Sequence, residues 1–130
     1  MPDVITSTPD NAPRPIGPYS HIARVGNFLT IGGVAGVDPN TGALVGKEVG
    51  SQTRQILKNM SALLESVNSD LEHIIHVNVF LLLMSDFEEM NEAYAKSLGA
   101  HRPARTVIGV SELPKPGVLL TRNLTAAVRE

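Results

Sequence analysis

Cysteine is absent from the 130 residues. Disulfides, a thiolate nucleophile and cysteine-ligated zinc or iron–sulfur centres are excluded with it. An excess of positive charge is also missing: 11 Lys and Arg stand against 13 Asp and Glu, a net charge of −2. The chain therefore lacks the basic footprint of a nucleic-acid binder, and nucleic acid is not an expected partner. Two tyrosines and three phenylalanines make up the whole aromatic complement, too few and too scattered for a base-stacking platform. No apolar run approaches the roughly 18 residues that span a bilayer, so no membrane association is expected. The longest run, Val77–Met84, is interrupted by Asn78. Met1–Pro15 has neither a basic start nor an apolar stretch, so no secretory leader is read there and a cytoplasmic protein is expected. The motifs G-x-S-x-G, G-x-G-x-x-G, H-E-x-x-H and the P-loop do not occur. His73 and His76 straddle the start of a strand, and no carboxylate completes a ligand set, so no metal is expected.

What is present is an ordinary globular composition, 42% hydrophobic and 18% charged, in a length that suits one domain over residues 1–130. Met1–Pro15 reads as an irregular lead-in. Ile22–Val25 and Phe28–Val34 read as short strands, joined at Gly26-Asn27 by a tight turn that tolerates positive φ. Asp38-Pro39-Asn40-Thr41-Gly42 reads as a turn, with Pro presetting φ and Gly taking the left-handed position. Ser51 is the expected N-cap of a helix carrying Ile56, Met60, Leu63, Leu64 and Val67 on one stripe. Asn68-Ser69-Asp70 ends it. Ile74–Leu83 reads as a central strand buried on both faces. Phe87–Leu98 reads as a second amphipathic helix, with Phe87, Met90, Tyr94 and Leu98 on one face and Gly99 as its stop. Thr106–Val110 and a long Val118–Val128 are the remaining strands. The order β-β-α-β-α-β-β predicts an α+β domain, with two helices on one face of a mixed sheet. Two helices leave the other sheet face bare, which points to cover by further copies of the chain.

Four segments together resemble the RidA/YjgF family. They are Ile16-Gly17-Pro18-Tyr19-Ser20, Asp86-Phe87 with Asn91 and Tyr94, Arg102-Pro103-Ala104-Arg105-Thr106, and Leu113-Pro114-Lys115. The resemblance runs from about Ile16 to the end. It implies a chorismate-mutase-like fold, a homotrimer with sites in the clefts between subunits, and no cofactor. It implies hydrolysis of reactive enamines and imines of 2-amino acids to 2-keto acids and ammonia. Arg105 takes the family role of gripping the substrate carboxylate. Tyr19 lines the cleft, Asn91 borders it, and the Gly33 amide is the expected second contact to the carboxylate.

Each assignment has a plainer alternative. Arg105 has the flat fork that matches a carboxylate, yet an isolated Arg is also a common surface or intersubunit charge. Tyr19 presents a phenol after Gly-Pro, or is a core residue under the N-terminal segment. Asn91 sits at the edge of a core stripe and could simply tie down a loop. The last strand departs from the family's I-E-I-E-A-I-A. Its first Glu, held to position the attacking water, falls on Leu120 counted from Leu113-Pro114-Lys115, or on Arg122 counted from the C-terminus. A serine and a cysteine common in the family are replaced by Gly32 and Val107. Strand alternation makes Arg122 the only charge on the face of Val118, Leu120, Leu124, Ala126 and Val128. It must be paired across a subunit seam, or serve as a second anion-binding group suited to a dicarboxylate of the aminomuconate type. Three functions follow: an enamine/imine deaminase acting on 2-iminopropanoate- or 2-iminobutanoate-type acids, or on a pathway-specific substrate; a non-catalytic metabolite-binding regulator; and the ribonuclease or translation-inhibitor activity attributed to some family members.

Overall fold

The computed structural model describes residues 3–130. Met1 and Pro2, the start of the expected lead-in, lie outside the described residues. The rest of that lead-in is not wholly irregular. Ile5–Ser7 forms a strand, β1, paired antiparallel to Ile22–Val25, β2. Three residues, two of them exposed and Ser7 partly buried, carry no periodic signal, so only the pairing reveals the strand. β2 turns through Gly26-Asn27 into Phe28–Val34, β3, with Val25 opposite Phe28. Of the two turn residues only Gly26 takes positive φ, at 58°. The Asp38–Gly42 turn forms as expected: Asp38 Oδ1 accepts the Asn40 N–H, and Gly42 sits at φ 74°.

Helix α1 spans Val49–Glu65, beginning two residues before Ser51. Ser51 does not cap it; its hydroxyl donates to the Glu48 carbonyl within the first turn. The free helix end is served instead from outside the segment. The Gly50 N–H donates to Glu89 Oε2 at 2.9 Å, where a carboxylate also suits the helix dipole. Helix α2 spans Phe87–Leu98 and stops at Gly99, φ 66°. Of the predicted stripes, Ile56, Met60, Leu63 and Leu64 on α1 and Met90, Tyr94 and Leu98 on α2 are buried, while Phe87 is only partly buried and Val67, also partly buried, lies beyond the end of α1.

The remaining strands are β4 (Ile74–Leu81), β5 (Ala104–Gly109) and β6 (Leu120–Ala127). The six-stranded sheet has the order β1-β2-β3-β6-β4-β5. Only β4 and β5 run parallel, so the sheet is mixed, and the chain is a single α+β domain with both helices on one face. The added β1 extends the expected order at its start. β4 lies inside the sheet but is buried on one face only: Val77, Val79 and Leu81 are buried, while His76, Asn78 and Phe80 are partly open. The apolar run had suggested two covered faces. Among the described residues of one chain no helix covers the second. There Asn78 donates to Asn123 at 2.8 Å, and the rim leaves Phe28 56% and Ile108 46% exposed.

Candidate active site

Arg105 lies within β5 rather than just before it, level with Val77 of β4. β5 is an edge strand, so a side chain on its helix-facing side meets α2 and the rim of the sheet. Its guanidinium lies 5.0 Å from the Tyr94 ring centroid and 5.9 Å from that of Phe87. It is half-buried, and no carboxylate pairs with it among the described residues. A flat cation propped on two rings keeps its outer N–H groups available for a carboxylate.

Arg122 shares this ring. It stands on β6 opposite Val79, fully buried on the helix side, with its guanidinium 4.3 Å from the Tyr94 centroid. Nη2 donates to the Met90 sulfur at 3.0 Å, while Nε and Nη1 have no partner among the described residues. Burial pushes the guanidinium down to about 10, so it stays charged at neutral pH. Burial also raises the Tyr94 phenol, against the pull of Arg122 and then Arg105. Neither reading of Arg122 from the sequence describes this geometry. It has no access to a seam or to a ligand in solvent, because its own chain encloses it. Asn91 is on the same helix and partly buried. Its Oδ1 finds no partner among the described residues, so it ties down no loop.

Tyr19 and Gly33 stand elsewhere. Both border a cavity of about 890 Å³ that is also lined by Arg14, His21, Lys115 and Thr121. Tyr19 is 44% exposed, and its hydroxyl accepts the Ile16 N–H at 3.3 Å. It is no core residue. Its ring meets His21 edge-on at 6.1 Å, and the His21 Nε2 is held against the Pro13 carbonyl. Gly33 falls in a bulge: three steps along β3, from Ile31 to Val34, match two along β6, from Leu124 to Arg122. A bulge interrupts the ladder locally, and a Cβ on Gly33 would meet nothing within 4 Å. The cavity is lined by no Asp or Glu, and Arg14 and Lys115 make it cationic.

The predicted residues therefore form two groups. Arg105, Arg122 and Asn91 gather around α2; Tyr19 and Gly33 gather beyond β3. Between β3 and β5 lie β6 and β4, three strand spacings or about 14 Å. Arg105 and Asn91 do not line the cavity that Tyr19 and Gly33 share. Leu120 and Arg122, the two positions where a Glu was sought, both face the buried helix side. Tyr94 is the residue that sequence reasoning undervalued. Its spacing from Phe87 and Met90 marked a core stripe, and nothing in that spacing shows two guanidiniums converging on one ring. No group of three or more His, Asp or Glu among the described residues could hold a metal ion. No helix among them is long and apolar enough to cross a membrane.

Comparison with known proteins adds four findings. The family model described as Endoribonuclease L-PSP matches residues 9–128. A RutC family protein of Pyrococcus horikoshii is 48% identical over 106 residues, 82% of this chain and 84% of its own. The 2-iminobutanoate/2-iminopropanoate deaminase of Dermatophagoides farinae is 35% identical over 114 residues, 88% of each chain. Among solved structures, the YjgF gene product of E. coli superposes with a TM-score of 0.89 at 32% identity, covering 96% of this chain and 99% of that one.

Proposed function

The chain belongs to the RidA/YjgF family, and from that membership we propose that it hydrolyses small reactive enamine and imine acids, of the 2-iminopropanoate and 2-iminobutanoate type, to 2-keto acids and ammonia. One observation carries the reading: Arg105 is a half-buried guanidinium propped on Tyr94 and Phe87, without a protein carboxylate among the described residues. The substrate carboxylate supplies the missing anion through two parallel N–H···O bonds. Water then adds to the imine carbon, the C–N bond breaks, and nitrogen leaves as ammonia. An enamine first takes a proton on carbon to become the imine. Binding and polarisation by cationic groups carry more of the work here than a positioned acid, because Leu120 and Arg122 stand where the family Glu is sought.

The complete site is composite. Tyr19 and the Gly33 bulge of one subunit face Arg105 and Asn91 of the next in a homotrimer. Support comes from the strand separation within one chain and from the bare sheet face with its exposed Phe28 and Ile108. The protein works in the cytoplasm without a cofactor.

The test is ammonia release from freshly generated 2-iminobutanoate. Arg105→Ala lowers kcat/KM by about a hundredfold, the loss of a charged bidentate contact, and Arg105→Lys falls between. An Arg105→Ala variant as fast as the parent overturns the assignment. A second reading, a metabolite-binding regulator, is favoured by the absence of any acidic residue in the cavity lining. Calorimetric binding of 2-oxobutanoate with no turnover of the imine would select it. The burial of Arg122 removes the direct second contact that a pathway-specific, aminomuconate-type substrate was expected to use.

A further inference from the structure

Arg122 is a buried charge that the proposed chemistry leaves unused. It is 0% exposed, it gives a single hydrogen bond to the Met90 sulfur, and two of its nitrogens donate to nothing among the described residues. No carboxylate neutralises it there. A cation taken out of water loses more than a ring face or a thioether returns. The chain keeps it nonetheless, with a second cation on the same ring. Arg122 lies 4.3 Å and Arg105 5.0 Å from the Tyr94 centroid, which sets the two charges no more than about 10 Å apart, near enough to interact strongly where water is excluded.

We propose that Arg122 is a specificity-determining residue that sets the charge preference of the Arg105 site, favouring short dicarboxylates over monocarboxylates of the same length. The proposal rests on Arg105 as the carboxylate anchor. Arg122 never touches the ligand. It acts through space from beside the Tyr94 ring, and because it is buried, with no protein carboxylate paired to it among the described residues, salt screens it far less than a surface charge. At about 10 Å and the effective dielectric of a protein interior, a unit charge changes the affinity of a unit anion on the order of tenfold; a second charge on the same ligand gains a comparable factor. An acid among these rings would cancel that field, and none pairs with either arginine in this structure. The dicarboxylate preference thus comes from the field of a group that solvent and ligand do not reach.

Butanoate and succinate are matched four-carbon probes. Their Kd values are to be measured by calorimetry for the parent, Arg122→Met, Arg122→Lys and Arg105→Ala. The parent favours succinate. Arg122→Met loses about tenfold of that preference, while its Tm holds or rises, since an unpaired buried charge gives way to an apolar chain of similar length. Arg122→Lys keeps the charge and most of the preference. An unchanged succinate-to-butanoate ratio in Arg122→Met, with both ligands lost in Arg105→Ala, overturns this inference alone. Arg105→Ala indistinguishable from the parent overturns the anchor and this inference together. Should Arg122→Met fail to fold, Arg122→Gln against Arg122→Lys decides: equal ratios in those two variants overturn the proposal.

Discussion

At the scale of single residues, the chain tolerates a charge that folding disfavours. Burial holds the folded Arg122 guanidinium at about 10, below the usual range of an arginine side chain. The unfolded chain therefore binds the proton more tightly. The penalty is full at neutral pH and relaxes only as pH climbs above about 10. Glycines show the opposite kind of constraint. A Cβ on Gly36 would stand 2.7 Å from the Gln52 carbonyl oxygen and 2.8 Å from its Cα, which are backbone atoms of α1. Gly36→Ala must push the cavity-lining loop off the helix. It costs about 1–3 kcal/mol and lowers Tm by several degrees, read by calorimetry or circular dichroism. Gly33→Ala is the control. Its Cβ meets open space, so Tm holds.

At the scale of elements, ends are governed by partners distant in sequence. α1 begins where Glu89 of α2 reaches the Gly50 N–H, not where Ser51 offered a local cap. Gln52, fully buried, donates to the Gly46 and Gly117 carbonyls and accepts the Leu119 N–H. That one side chain joins three segments of the chain at the start of α1. The other end of α1 is latched as well. Asp70 accepts from His73 Nδ1 at 2.7 Å and Arg129 Nε at 2.8 Å, and Arg129 also reaches Glu65. The His73 bond first, and the Arg129 bond second, hold the Asp70 carboxyl at about 2. A depressed acid stabilises the fold above its unfolded value of 3.8 and loses that effect as pH falls toward 2. Asp70→Asn therefore lowers Tm at pH 7 by about 2–4 °C and flattens the decline of Tm below pH 4, seen in a pH series of melts.

At the scale of the whole molecule, the proposed assembly has each chain supply one half of each of two sites. The proposed assembly makes a clear demand on mixed oligomers. Arg105→Ala and Gly33→Leu each retain about a hundredth of the parent activity or less as pure proteins. Refolded together, they recover about a quarter of the parent activity, because random assortment joins an intact Arg105 to an intact Gly33 in one site of four. No recovery in a mixture shown to contain hybrid oligomers would place all the groups within one subunit.

Helices, turns and the core stripes were legible in the sequence because each is a local pattern with a period or a fixed residue requirement. Ile56 to Leu64, Phe87 to Leu98, and the Asp38–Gly42 turn declare themselves within a dozen residues. The family motifs around Tyr19 and Arg105 were equally local. The strand at Ile5–Ser7 was not, since three residues that bury no side chain fully leave only backbone pairing to define it. Nor was the one-sided burial of β4, because an apolar run looks the same whether one face or two are covered. The sequence by itself determined that Arg122 is a lone charge on an apolar face. Only the tertiary structure decided that it meets Arg105 at one ring, Tyr94, because that meeting depends on how α2 packs against β5 and β6, which no local spacing encodes.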